Sequence, residues 1–265
     1  MTPLSACPRT TLAAIKGVLT DIDETVSTDG RLTAEAYAAV AALKQAGLLV
    51  VPVTGRPAGW CDMIARFWPV DAVVGENGAF WMWHDLKAHK LRTRFIQSDP
   101  QRADGRRRLE QVRADVLREV PGAGIASDQP YRLADLAVDF CEDVPALPAG
   151  DIDRIVAIFE RHGAHAKVSS IHVNGWFGDY DKLTTSKAMM AELFGVDLVK
   201  DANAWVFAGD SPNDAPMFGH FPNSVGMANV ADFAGRLAHD PAWITQARSG
   251  AGFVELARAL IDARH

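Results

Sequence analysis

The sequence predicts an α/β protein: a Rossmann-like, doubly wound parallel sheet with a second, α+β unit inserted into it. Three observations carry this expectation. Short apolar runs of strand length, such as 48–53, alternate with helix-length segments of amphipathic spacing. Unbroken apolar runs of that length suit strands covered on both faces. Between residues 84 and 176 the rhythm changes to runs of strands with helices to one side, and the strand–helix alternation resumes near Lys182.

The elements follow in order. A first strand is expected at 17–21 and a helix at 33–46. Thr33 can cap that helix, Tyr37, Val40 and Leu43 fall at helical spacing, and Gly47 stands where a closing glycine belongs. A strand at 48–53, a short helix at 59–67 and a strand at 71–74 repeat the pattern. Segments 79–83 and 90–95 read as paired strands around His84-Asp85. A charged helix at 101–120 lies between Asp99-Pro100 and Pro121-Gly122. Then come a strand at 136–141, a helix at 151–161 and a strand at 166–173. The core returns with a helix at 184–194 ended by Gly195, then a strand at 205–208 and a short helix at 212–218. A strand at 224–227, a helix near 230–237, a strand at 242–245 and a helix at 253–263 complete it. The expected organisation is one discontinuous core, 1–83 and 177–265, with an inserted unit at 84–176.

Composition narrows the function classes. The chain has 265 residues, 48% hydrophobic and 23% charged, which excludes disordered and low-complexity classes. A net charge of −6 is a poor match for nucleic-acid backbones or anionic membranes, so neither is expected as a partner. No apolar run approaches the roughly 20 residues that span a bilayer. Cys7, Cys61 and Cys141 form no CxxC pair and no disulfide framework, which suits a reducing cytoplasm. Nothing in the sequence fixes the oligomeric state.

The chemistry-bearing residues gather at strand ends, where ligands bind in open α/β sheets. Asp21-Ile22-Asp23-Glu24-Thr25 places two carboxylates two residues apart after the first strand. One can bind a hard metal or act as nucleophile while the other handles protons. Taken alone, the segment also reads as an acidic turn. Thr54-Gly55-Arg56 follows the second strand, where a hydroxyl and backbone amides can hold an anion. Gly209-Asp210-Ser211-Pro212-Asn213-Asp214 ends a third strand with two more carboxylates, or with a capped turn.

Together these segments resemble the haloacid dehalogenase (HAD) superfamily, specifically its subfamily IIB or Cof-like phosphatases. The resemblance runs from about Gly17 to Ala263. It covers DxDxT at Asp21–Thr25, Thr54, GDxxND at Gly209–Asp214, and an NGA element at Asn77-Gly78-Ala79. It implies that Asp21 is the nucleophile and forms an aspartyl-phosphate. Asp23 would be the general acid and base, and Thr54 would hydrogen-bond the phosphoryl group. Mg²⁺ would be held by Asp21, the Asp23 carbonyl and Asp210, with Asp214 as a further metal-site carboxylate and Asn213 as a positioning group. The phosphate-binding lysine would be Lys182, with Lys187 as the other candidate; the glycine usual after that lysine is Leu183 here. Glu24 stands where many relatives have Gly or Asp.

Spacing sets the lid. About 30 residues separate Asp23 from Thr54 and about 127 separate Thr54 from Lys182, so the insertion corresponds to the family's C2 cap. Gly55, Arg56 and Asn77 are further substrate-binding candidates. So are His172, Asn174, Trp176 and Asp179 on the segment returning to the core. The implied function is Mg²⁺-dependent hydrolysis of a small phosphate monoester. A sugar phosphate is the expected substrate, since subfamily IIB relatives often hydrolyse sucrose, trehalose or mannosyl-glycerate phosphates. Two other readings are a sugar phosphomutase and a catalytically silent phosphosugar-binding regulator.

Overall fold

A computed structural model describes residues 1–264. Six parallel strands form the central sheet. Their spatial order is Thr2–Pro3, Trp243–Ile244, Val225–Gly226, Trp205–Gly209, Gly17–Thr20, Leu49–Pro52. The central strands are buried along their whole length, so their uninterrupted apolar sequence is a requirement of the two-sided packing. A parallel bridge from Val53 to Val74 joins this sheet to Val73–Gly75. That strand is followed antiparallel by the hairpin Phe80–Asp85 and Lys90–Phe95.

Helices cover both faces. Val40 and Leu43 of Ala34–Gln45, together with Phe253, Leu256 and Leu260 of Ser249–Asp262, close one apolar cluster. Met189 and Met190 of Lys182–Phe194 close the other, against Leu19, Val51 and Phe207. The expected caps are present. The Thr33 hydroxyl accepts from Ala36 N at 3.2 Å, and Gly47 follows the helix with φ +81°.

The inserted segment builds an antiparallel sheet of four strands: Gly124–Ile125, Leu136–Asp139, His172–Trp176 and His165–Val168 in spatial order. Helices Asp99–Glu119 and Ala149–Arg161 bury Leu109, Val112, Val116, Ile155 and Phe159 with Val138 and Val173 in a cluster of their own. No helix of the described residues is long and apolar enough to cross a membrane.

The structure corrects the reading of the sequence in four places. The expected boundary at 83/84 falls inside Phe80–Asp85, whose pairing with Val73–Gly75 carries the hairpin on from the core. The single strand expected at 166–173 is two strands, reversed at Ser169–Ile171, where the Ser169 hydroxyl accepts from His172 N at 3.0 Å. The helix expected at 230–237 is a 3₁₀ segment, Ala228–Phe233. The N-terminus, left without elements above, adds the edge strand Thr2–Pro3 and the helix Arg9–Ala13.

One turn is held in an unusual backbone. Glu76, Asn77 and Gly78 have φ of 45°, 54° and 112° in succession, and left-handed runs of non-glycine residues cost of order 1–3 kcal/mol each. At Gly78 a Cβ would lie 2.3 Å from the Asp181 carbonyl oxygen. The Thr185 hydroxyl donates to Gly78 O at 2.6 Å. Gly78→Ala is therefore expected to lower stability by at least about 2 kcal/mol, read as a reduced urea midpoint.

Candidate active site

Three adjacent parallel strands deliver the site. Register sets Thr20 beside both Pro52 and Ala208. The residues that follow these strands, Asp21, Thr54 and Asp210, therefore emerge side by side at the carboxyl edge of the sheet. Backbone bonds from Asp21 N to Ala208 O (2.8 Å) and from Val53 N to Thr20 O (2.7 Å) carry the ladder up to these residues.

Lys182 sits between them. It opens the helix Lys182–Phe194, is 3% exposed, and donates from Nζ to Asp21 Oδ1 at 2.7 Å and to Asp214 Oδ1 at 2.8 Å. The other Asp214 oxygen accepts from Asp210 N (3.0 Å) and Ser211 N (3.3 Å). Asp214 thus fixes both the lysine and the loop that carries Asp210. Gly209 must lack a side chain here, since a Cβ would stand 2.4 Å from Asp214 Oδ2. Asp210 Oδ2 accepts from Asn229 Nδ2 at 3.0 Å, and the Thr25 hydroxyl lies 3.4 Å from Asp210 Oδ1.

No protein-family model and no curated protein matches the chain in sequence. Solved structures do match it in three dimensions. The C-terminal domain of a trehalose-6-phosphate phosphatase from C. albicans aligns over 99% of this chain and 98% of that one, with TM-score 0.69 and 12% identity. The sucrose-phosphatase of Synechocystis, solved with sucrose and phosphate, aligns over 94% and 98% (TM-score 0.63, 14% identity). A HAD-superfamily phosphatase from Bacteroides thetaiotaomicron aligns over 98% and 99% (TM-score 0.60, 16% identity). The chain has the HAD fold. The segment with the four-stranded antiparallel sheet falls within the insertion expected to be the cap, and the parallel sheet with its helices falls within the expected core.

The electrostatics of the core site are those of crowded acids. Burial, and then the nearby Asp214 and Asp23, push Asp21 up to about 7 although Lys182 pulls the other way. Asp210 is pushed well above the ordinary carboxylate range, first by burial and then by Asp21 and Asp214. Burial alone would lower Lys182, but the two carboxylates raise it above its ordinary value. Oxygens of Asp21, Asp210 and Asp214 lie within 4.8 Å of one another. An all-oxygen, buried and under-compensated set of this kind fits a hard divalent cation such as Mg²⁺.

Other expected site residues also converge. The Thr54 hydroxyl accepts from Arg56 N at 3.0 Å. Asn77 is 2% exposed with both side-chain polar atoms unpaired, and its amide packs beside Gly55. Asn213 accepts from the Ser211 hydroxyl at 2.8 Å. Asp21, Asp23, Gly55, Asn174 and Asn213 border one inner cleft of only about 10 Å³. Asn174 reaches it from the cap but donates to Asp135 Oδ2 at 3.0 Å.

Three expectations are revised. Trp176 is packed away from the cleft, stacked on Tyr180 with its indole N–H on Tyr180 O at 3.2 Å. Asp179 is fully exposed and faces His165 at 3.8 Å. Arg56 turns to carboxylates: Nε lies 2.9 Å from Asp23 Oδ1 and Nη2 3.1 Å from Glu142 Oε1. Lys187, the other lysine candidate, neighbours His220 instead. Glu24 is drawn aside, accepting from Gly30 N (3.2 Å) and the Ser249 hydroxyl (2.8 Å).

Glu76, Arg132 and Glu142 were not foreseen. The fully buried Glu76 carboxylate accepts from Ala58 N at 3.0 Å in the core and from Leu133, Ala134 and Asp135 N at 2.6–3.1 Å in the cap. Arg132 carries the joint further, donating to Gly55 O at 2.9 Å. The one sequence signal for Glu76 was a carboxylate beside an NGA turn.

Metal linkage gives a test. A carboxylate whose folded pKa lies above its unfolded value stabilises the fold below the unfolded value, and that contribution is lost as pH rises through the folded value. For Asp21 the window runs from 3.8 to about 7. Cation binding favours the ionised acids. Mg²⁺ should therefore raise the melting temperature more at about pH 8 than at about pH 5.5 in a thermal-shift titration; equal shifts at both would count against the site.

Proposed function

We propose that the protein is a Mg²⁺-dependent phosphatase of small phosphate monoesters acting through an aspartyl-phosphate. The observation that carries this reading is Lys182 held between Asp21 and Asp214, with Asp210 beside them at the ends of adjacent strands. Phosphoryl transfer asks mainly for positioning and for compensation of charge on the transferring oxygens, and this cluster supplies both.

In the first step an Asp21 oxygen attacks phosphorus, the phosphorus–oxygen bond to the leaving group breaks, and Asp23 gives that oxygen its proton. In the second, Asp23 takes a proton from water. The resulting hydroxide attacks the phosphorus of the acyl phosphate, releasing phosphate and restoring Asp21. Lys182 and the Thr54 hydroxyl bind phosphoryl oxygens, and the unpaired Asn77 amide is free to join them. Asp21, the Asp23 carbonyl and Asp210 would hold Mg²⁺, which supplies Lewis-acid compensation of phosphate charge. Asp214 serves to fix Lys182 and the Asp210 loop.

The cap, expected at 84–176 and with the hairpin reassigned to the core, acts as the lid. Outside the inner cleft lies a second cavity of about 230 Å³, shared with Asp23 and Arg56 and bordered also by Glu24, Asp29 and Glu142. Four carboxylates against one guanidinium repel a second phosphate and suit an uncharged, hydroxyl-rich leaving group. That supports a sugar phosphate, the class named for two of the structures sharing the fold, over the bisphosphate that a phosphomutase cycle requires. A silent phosphosugar-binding protein would not need an aligned nucleophile and acid.

Asp21→Asn should lower Mg²⁺-dependent phosphate release from p-nitrophenyl phosphate by at least about 10³-fold, and chelation of Mg²⁺ should abolish wild-type release reversibly. Undiminished turnover by the variant would sink the mechanism. Across a metabolite panel, hexose monophosphates should exceed the matching bisphosphates in kcat/KM by about tenfold or more, since unpaired like charge in a pocket costs over 1 kcal/mol.

A further inference from the structure

The acid–base carboxylate Asp23 does not stand alone. Arg56 grips it with two nitrogens: Nε lies 2.9 and 3.1 Å from the two Asp23 oxygens and Nη2 lies 2.8 Å from Oδ1. Arg56 itself is 3% exposed and rests on the Trp60 ring at 4.3 Å. Its remaining partners come from the cap. Nη2 reaches Glu142 Oε1 at 3.1 Å, and Nη1 lies 3.6 Å from Asp128 Oδ2. The other Glu142 oxygen is 2.9 Å from Nε2 of the buried His172, a close polar approach in which the ring N–H is not aligned for a hydrogen bond. The Glu142 loop is pinned in turn, since Cys141, Glu142 and Asp143 all donate their backbone N–H to Asp139, at 2.7–2.9 Å.

We propose that Glu142, backed by His172, is a positioning residue of the cap that acts on Asp23 through Arg56. The inference rests on the phosphatase reading above. A planar guanidinium shared between two carboxylates can take only a narrow range of orientations. When the cap is seated, Glu142 fixes Nη2 of Arg56, and the Nε–Nη2 edge, which shares that nitrogen, then fixes Asp23 facing the leaving group. When the cap swings away, Arg56 loses Glu142 and Asp128 together, and Asp23 loses its alignment. Proton delivery to the leaving group is thereby tied to cap closure over a bound ester. A small displacement of such a group costs large factors in rate.

Leaving-group chemistry separates this role from a merely structural one. Nitrophenolate departs without a proton, whereas a benzyl alkoxide needs one. The experiment measures kcat/KM, which reports the first transfer to Asp21, for p-nitrophenyl phosphate and benzyl phosphate with Mg²⁺ present. Glu142→Gln should lower the value for benzyl phosphate at least about tenfold more than that for p-nitrophenyl phosphate, within the range a general acid contributes. Glu142→Asp should recover part of that ratio, and His172→Ala should move it in the same direction by less. The Glu142 side chain is 29% exposed, so the fold should tolerate its replacement, which an unchanged melting curve verifies. Arg56→Lys, which keeps the charge but loses the planar fork, should give the largest change in ratio. An equal loss on both esters, or none, with wild-type activity intact would overturn this inference alone. Wild-type protein that releases phosphate from neither ester would overturn the phosphatase reading, and this one with it.

Discussion

The contact on which the site depends is a single buried ammonium between two buried carboxylates. Lys182 contacts Asp21 and Asp214 at 2.7 and 2.8 Å, and all three are nearly inaccessible to water. Removing one member of such a group typically costs 3–5 kcal/mol because the remaining charge has no solvent to turn to. The triad also fixes distance. Asp21 belongs to the end of one strand, Asp214 to the loop beyond another, and Lys182 to a helix that starts more than 150 residues after Asp21. Asp214 then passes the constraint on by receiving the backbone N–H groups of Asp210 and Ser211. The geometry of the candidate site is thus a consequence of charge pairing imposed on the edge of a parallel sheet.

On the proposed reading, the same arrangement accounts for an acidic chain serving an anionic substrate. A net charge of −6 describes the surface and the long-range field. A local site is governed by groups within a few ångströms, where Lys182, backbone N–H groups and any bound cation would act in a medium poorer in screening than water. The acids that make the chain negative are in part the ones that would recruit the cation. Outside this cluster the sign returns: the outer cavity is bordered by Glu24, Asp29 and Glu142. On the proposed reading, phosphate would be favoured at one end of the cleft and disfavoured at the other, which would orient a monoester.

Legibility in the sequence followed contact range. Asp21, Thr54 and Asp210 were readable because each directly follows an apolar run, and parallel strands must end side by side. Thr33 and Gly47 were readable because capping is local. The cap could be sized from spacing, but its contacts could not. Glu76 binds backbone N–H groups more than fifty residues away, and those groups carry no side-chain signature. Glu142 meets Arg56 across 86 positions. Trp176 and Asp179 were expected at the site as aromatic and polar groups on the segment that returns from the insertion to the core. Trp176 lies on the same strand face as His172 and Asn174, but four residues onward, about 13 Å at 3.3 Å per residue. There it packs on Tyr180 rather than on a ligand. Asp179 lies past the end of that strand, where alternation no longer predicts facing.

The cap contacts also carry a dynamic consequence. An inner cleft of about 10 Å³ has room for about one water and none for a phosphoryl group. On the proposed reading, a phosphate ester would enter as cap and core separate or shift. Polar contacts join cap and core, namely Glu76 with three cap N–H groups, Arg132 with Gly55 O, and Arg56 with Glu142 and Asp128, beside an apolar cluster in which Ala134 and Trp176 pack with Ile22, Ala58 and Cys61. Polar joints of this kind release at modest cost when water can replace each partner, whereas an apolar joint of similar area would not. They are also directional, so reclosing restores one register rather than a range of them. Two of the three joints attach to the loop Thr54-Gly55-Arg56, at Gly55 and at Arg56. The loop that carries Thr54 is consequently the part of the core that feels the position of the cap.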